Sequence, residues 1–227
     1  MNDETSTERE TPRVISILKR RSVHLLLSLM ALILLHPFAA LIGQPWASRI
    51  TSLLTTGVML AAVWWTAETR GLRLLAAGLV SPALLALWLR DELGPLASLA
   101  WILFCLFVIA RLFATMMSRR TDLLDRITTA ISVYLLVAMT FAFLHLMVYR
   151  IEPSAYHFPV APTGEGMSDM LYFSLVTILT LGYGDIVPVN PFARMLTVTE
   201  AFVGAFFIAI LIARLVSLGP ESEKSSD

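Results

Sequence analysis

Between two apolar stretches long enough to cross a bilayer, Ile127–Val148 and Met195–Leu215, lies a third that is not. This run, Met170–Thr180, is followed at once by Leu181-Gly182-Tyr183-Gly184-Asp185. A helix rises about 1.5 Å per residue and the hydrocarbon core is ~30 Å thick, so a span needs about 20 residues. Non-helical backbone at membrane depth survives only when buried in protein or lining a water-filled path. The spacing therefore predicts a short helix that dips into the membrane and returns as an extended strand. The stretch before it, Ile151–Gly166, is polar and contains prolines.

Four further apolar runs precede this region, Val23–Gly43, Ile50–Thr66, Leu72–Leu89 and Leu96–Met117. Hydrophobic side chains make up 57% of the 227 residues and charged ones 15%, against roughly 25% charged in soluble domains. The expected fold is an all-α integral membrane protein. It has six transmembrane helices, with a re-entrant pore helix and loop between helices five and six. With the N-terminus inside, most of the 17 Lys and Arg residues fall on the inner side, and only Arg49, Arg90, Arg150 and Arg194 fall outside. The positive-inside rule then places both termini in the cytoplasm of a multi-pass cell-membrane protein. The expected organisation is a cytoplasmic tail over 1–19 and a four-helix module with linker over 20–126. A pore domain over 127–217 and a short tail over 218–227 follow. Residues 1–12 are polar and acidic, unlike a cleavable signal peptide.

Net charge is zero, so bulk electrostatics do not point to nucleic acid. Cys105, the only cysteine, lies in an apolar run and reads as a small buried hydrophobe. No nucleophile–base or metal constellation forms a plausible catalytic site, so no enzyme is expected. No cofactor or soluble ligand is implied either.

The chemistry of Thr180–Asp185 follows from what a dehydrated cation needs. Oxygens aimed at one axis must replace its water shell, and backbone carbonyls supply them without charge. Aiming successive carbonyls the same way requires backbone angles closed to most L-residues, and glycine reaches them at little cost. Gly182 and Gly184 alternate with Leu181 and Tyr183 accordingly, and the Thr180 hydroxyl adds an oxygen at the inner end. Tyr183 is expected to turn away from the axis and pack against the short helix.

The stretch from Tyr172 to Pro188, Tyr-Phe-Ser-Leu-Val-Thr-Ile-Leu-Thr-Leu-Gly-Tyr-Gly-Asp-Ile-Val-Pro, resembles the pore helix and selectivity filter of the potassium channel family. The family filter usually reads Thr-Val-Gly-Tyr-Gly-Asp, and Leu181 here takes the valine place. Arg194, Glu200 and Gly204 stand where family members often carry a basic residue, an acid and a flexible glycine. The match covers roughly residues 127–217. It implies K⁺ coordination by Thr180, Leu181, Gly182 and Tyr183, with Gly184 completing the filter. One pore loop per chain implies a homotetramer among membrane lipids.

Supporting roles fall to Asp185, Tyr172, Phe173, Thr177 and Glu200. Val176 stands where some relatives carry a carboxylate facing the aspartate, and Tyr172 holds an aromatic position that reaches it in others. A Tyr172–Asp185 hydrogen bond is therefore expected. Glu200 either braces the back of the filter or is a structural hydrogen-bonded acid. Gly204 is a candidate gating hinge, or else a close-packing residue beside Ala201 and Ala205. Glu152, Glu165 and Asp169 lie near the mouth, as cation-concentrating or merely solvated acids. His24, His36, His145 and His157 read as packing or interface residues. Trp46, Trp64, Trp65, Trp88 and Trp101 read as interfacial anchors. The fourth run contains only Arg111, so a voltage-sensor array is not expected. The function expected is passive, selective K⁺ conduction. The alternatives are a weakly selective cation channel or a non-conducting modulatory subunit.

Overall fold

The structure is a computed structural model. It describes residues 21–39, 94–117, 122–160 and 166–217, with isolated positions 53, 55–58, 71 and 78. The tails, nearly all of the runs Ile50–Thr66 and Leu72–Leu89, the linker around Arg119 and Arg120, Glu165, and the tryptophans at 46, 64, 65 and 88 lie outside the described residues.

Among the described residues, five helices carry the fold: α1 (Arg21–Ala39), α2 (Gly94–Met117), α3 (Leu123–Ile151), α4 (Met167–Ile178) and α5 (Pro191–Ser217). A single turn of 3₁₀ helix, Pro153–Ala155, leads into β1 (Tyr156–His157), which pairs antiparallel with β2 (Val187–Pro188). Tyr156 faces Pro188 across this ladder, and the Val189 N–H donates to the Ala155 carbonyl at 2.7 Å. The chain leaving α3 is thereby tied to the chain entering α5.

Among the described residues, three helical stretches are long and apolar enough to cross a membrane: Pro95–Ala114, Leu123–Ile151 and Pro191–Arg214. Ser22–Leu35 and Met167–Ile178 are shorter apolar helices. At 12 residues α4 is about 18 Å long, well short of a crossing.

Both long helices of the C-terminal half begin earlier than hydropathy alone suggests. The α3 helix opens at Leu123 rather than Ile127, because Asp122 sits in extended backbone as its N-cap and Asp125 lies in the first turn, where the helix dipole favours an acid. Ser22 at the start of α1 donates to that Asp125 carboxylate at 2.6 Å. The α5 helix opens at Pro191 rather than Met195. Asn190 Oδ1 accepts the Ala193 N–H at 2.7 Å, and Pro191 occupies the first helical position, where its missing N–H costs nothing.

The core lies where α2 packs along α3, with α1 against α3. Leu25, Leu29 and Leu32 of α1 meet Phe104, Cys105 and Val108 of α2 and Leu136 and Met139 of α3 in one buried cluster. Trp101 is part of it: the indole stacks on Phe143 with centroids 5.6 Å apart and planes 8° apart. The expectation of an interfacial Trp101 is therefore corrected, because flat contact with Phe143 takes the ring inward. The hydroxyls of Thr128, Ser132 and Thr140 bond back to carbonyls one turn earlier, so α3 buries them without orphaned hydrogens.

Phe104 is fully buried in this cluster. Phe104→Ala should cost about 3 kcal/mol through the cavity it leaves. The readout is the thermal unfolding midpoint of the detergent-solubilised protein, which should fall. An unchanged midpoint would mean that α2 does not pack on α3 as described.

Candidate functional site

The α4 helix ends at Ile178, and the chain turns back on it at once. The Thr180 N–H donates to the Thr177 carbonyl at 2.9 Å. The Leu181 and Gly182 N–H groups both donate to the Val176 carbonyl, at 2.9 and 3.3 Å. Thr180, Gly182 and Gly184 have φ of +57°, +58° and +76°, whereas the intervening Leu181 and Tyr183 do not enter the positive region. Left-handed residues thus alternate with residues outside the left-handed region, the alternation needed to turn successive carbonyl groups toward one side of a strand. Thr180 is the only non-glycine among the described residues with positive φ. A β-branched residue there is costly, so it marks a backbone held by its surroundings.

Among the described residues, no donor sits on the carbonyl oxygens of 180–184. Leu181 and Tyr183 are 52% and 67% exposed. Tyr183 was expected to pack against the short helix, but α4 of its own chain leaves most of the ring open. The segment is an exposed ribbon tethered to α4 by the N–H groups of Thr180, Leu181 and Gly182.

Tyr172 and Asp185 meet as expected: the Tyr172 hydroxyl donates to Asp185 Oδ2 at 2.7 Å, while Oδ1 accepts the Ile186 N–H at 2.9 Å. The Tyr172 hydrogen bond holds the Asp185 carboxyl below its ordinary pKa, with the Ile186 N–H helping. The same bond pushes the Tyr172 phenol up to about 12.

Behind α4 the polar groups form a second cluster. Glu200 of α5 and His145 of α3 are both fully buried, with Oε2 and Nε2 2.9 Å apart. His145 Nδ1 lies 2.6 Å from the Tyr156 hydroxyl. The other Glu200 oxygen is hydrogen-bonded to Ser174 Oγ, which also donates to the Ala138 carbonyl at 2.7 Å. Phe173, expected as filter support, presents its ring to His145 and Tyr156 with centroids 4.9 and 5.8 Å away. Burial pushes the Tyr156 hydroxyl above its ordinary pKa, so it keeps its proton.

The end of α4 is seated by two further groups. Tyr134 of α3 donates to the Ile178 carbonyl at 2.7 Å. Gly204 of α5 lies directly against the same residue: a Cβ there would fall 2.6 Å from Ile178 Cγ1 and 2.8 Å from the Ile178 oxygen. Gly204 thus has a packing requirement that is independent of any hinge, and α5 runs unbroken through it.

A family model described as "Ion channel" matches residues 129–219. Protein LctB of Bacillus caldotenax is 31% identical over 101 residues, which is 41% of this chain and 72% of that protein. The chain belongs to the potassium channel family. Two pore potassium channel c of Oryza sativa subsp. japonica is 34% identical over 84 residues, 37% of this chain, and Two-pore potassium channel 4 of Arabidopsis thaliana is 45% identical over 49, 22% of this chain. The matched part spans 17% of the length of each of these plant relatives. No solved structure matches. As a family member with long apolar helices, this is an all-α, multi-pass membrane protein, and the family implies an ion channel rather than an enzyme.

Sequence reasoning read His145 only as a packing or interface residue and gave no role to Ser174, Tyr156 or Tyr134. A signal for the first existed: an acid such as Glu200 inside a span needs a polar partner. His145 falls near the same end of the neighbouring span. Glu152 is a partnered acid, accepting from Asn190 Nδ2 at 2.7 Å, and so steadies the turn before α5. Asp169 lies in the first turn of α4, where the helix dipole favours it. His24 and His157 are exposed.

Because the folded Asp185 pKa is lowered, the stabilisation from this carboxylate is present at neutral pH. It is lost as pH falls through the depressed value, below the usual aspartate range near about 3.9. Tyr172→Phe should move the Asp185 titration midpoint upward, as read by carboxyl NMR, and acid-induced loss of function should move up with it. Gly204→Ala should lower the thermal midpoint by an amount corresponding to about 1–3 kcal/mol, the scale of overpacking, since the Ile178 carbonyl has no freedom to retreat.

Proposed function

We propose that four copies of this chain surround one axis and conduct potassium selectively and passively down its electrochemical gradient. The observation that carries this reading is the alternation of left-handed residues at 180, 182 and 184 along an exposed ribbon whose carbonyl oxygens have no donors among the described residues. Four such ribbons make stacked rings of peptide oxygens, which exchange for the hydration shell of a potassium ion at little net cost. The carbonyls of Thr180, Leu181, Gly182, Tyr183 and Gly184 and the Thr180 hydroxyl are the coordinating groups.

A single ribbon cannot enclose an ion, and the sequence contains one Gly-Tyr-Gly string. Closure by identical subunits gives cyclic symmetry. The exposed apolar face of α5, including Phe202, Phe206 and Ile210, and the open side of Tyr183 suit contact with neighbouring copies and lipid. In this arrangement α4 is the re-entrant pore helix, α3 and α5 flank it, and six spans leave both termini in the cytoplasm. Tyr172 and Asp185 brace the outer end of the filter, and Thr177 and the Glu200 cluster support the pore helix behind it. Gly204 is retained as the candidate hinge of the last helix.

Gly182 offers the sharpest test. A Cβ added there meets nothing within 4 Å, so Gly182→Ala acts through backbone strain alone. Holding alanine at φ +58° costs about 1–2 kcal/mol per subunit, four times over in a tetramer. Potassium flux from liposomes containing purified protein should fall at least tenfold in Gly182→Ala, with the spans still folded. Equal flux from variant and wild type would refute the filter, and equal K⁺ and Na⁺ permeability in bi-ionic reversal potentials would refute selectivity.

A further inference from the structure

The hydrogens in the cluster behind α4 can be counted. Ser174 Oγ touches two oxygens, the Ala138 carbonyl at 2.7 Å and Glu200 Oε1. A serine hydroxyl has one hydrogen, and a carbonyl oxygen has none. Two oxygens that close repel each other unless a hydrogen lies between them. If Ser174 donates to Ala138, the hydrogen between Ser174 and Glu200 must come from Glu200.

The other end gives the same count. The Tyr156 hydroxyl also carries one hydrogen, and His145 Nδ1 is its neighbour at 2.6 Å. Were His145 an imidazolium, both ring nitrogens would donate, and the Tyr156 hydrogen would need another acceptor. Among the described residues Tyr156 has none. A neutral ring with its proton on Nε2 accepts from Tyr156 and donates to Glu200 Oε2, 2.9 Å away. Every contact then holds one hydrogen.

We infer that Glu200 is held as a neutral, protonated acid, and that Tyr156, His145, Glu200 and Ser174 form a one-way chain of hydrogen bonds ending on the Ala138 carbonyl. The chain joins four places in the fold: β1, α3, α5 and α4. His145 is its hub and acts as a positioning residue. It presents Glu200 to Ser174, and Ser174 fixes α4 against α3 and α5. The chain contains no net charge, which suits a site where both His145 and Glu200 have no exposure to water. A buried ion pair would carry a desolvation cost that this arrangement avoids. The protonation state stands on geometry alone, whereas its effect on selectivity rests on the potassium-filter reading.

Glutamine has nearly the shape of a protonated glutamate and likewise offers a donor on one side and an acceptor on the other, with one further N–H that the cluster does not use. Its amide can donate to Ser174 while its carbonyl accepts from His145. Glu200→Gln should therefore keep the K⁺/Na⁺ permeability ratio within about twofold of wild type, while Glu200→Ala and His145→Ala lower it about tenfold, the scale of one buried polar group left unpaired. Loss of selectivity or assembly in Glu200→Gln equal to that in Glu200→Ala overturns the inference, because a neutral amide replaces a protonated acid but not an ionised carboxylate. Infrared spectra of wild-type protein with ¹³C-carboxyl-labelled glutamate decide the state without a variant. A label-shifted carbonyl stretch of a protonated acid at neutral pH supports it, and carboxylate bands alone overturn it. Should wild type prove unselective, the filter reading fails and the spectrum still decides the chain.

Discussion

A 12-residue helix is marginal on its own, because the nucleation cost is spread over few hydrogen bonds. The short helix α4 must therefore be held, and the rest of the C-terminal half is arranged around holding it. The polar contacts fall along its length. Tyr172 reaches Asp185 on the chain beyond it, Ser174 meets Ala138 and Glu200, and Tyr134 binds the Ile178 carbonyl at its end. Apolar packing supplies little directional information between helices in a lipid environment. Hydrogen bonds and close backbone approach decide register there, and Gly204 against Ile178 is one such approach.

From this seating follows the geometry of the ribbon. The Val176 carbonyl, at the C-terminal end of α4, accepts two N–H groups from residues 181 and 182. If α4 slid or rotated, those bonds and the left-handed turn at Thr180 would move with it. Among the described residues no donor meets the carbonyl groups of 180–184, so the fold tethers the ribbon through its N–H groups and leaves those oxygens open. The resulting object is incomplete in a physical sense. It has oriented peptide oxygens, an exposed Tyr183 and a long helix whose apolar surface is almost wholly uncovered by its own chain.

The short run, its glycines and the long flanking spans were legible in the sequence because hydropathy, length and backbone freedom are local properties. The Tyr172–Asp185 bond was expected from the family resemblance, in which an aromatic residue at this position reaches the aspartate 13 residues on. Helix starts were missed by four residues at both Leu123 and Pro191. The extended backbone at Asp122 and the side-chain cap from Asn190 mark those boundaries, while the hydropathy threshold saw only the apolar interior. Trp101 was misread as interfacial, because nothing local to it announces Phe143 as a stacking partner.

By itself the sequence determined that this chain crosses membranes, that one apolar segment is too short to do so, and that the glycines after it leave the backbone free to carry a row of carbonyls. These follow from the cost of burying peptide groups in hydrocarbon and from the steric freedom of glycine. Only the tertiary structure decided which polar side chains meet behind that segment. His145, Tyr156, Ser174 and Glu200 come from four separate elements, with 55 residues between His145 and Glu200. No periodicity relates them. Their meeting depends on how α3, α4 and α5 cross, and a buried hydrogen-bond chain exists only once those crossings place each donor within reach of its acceptor.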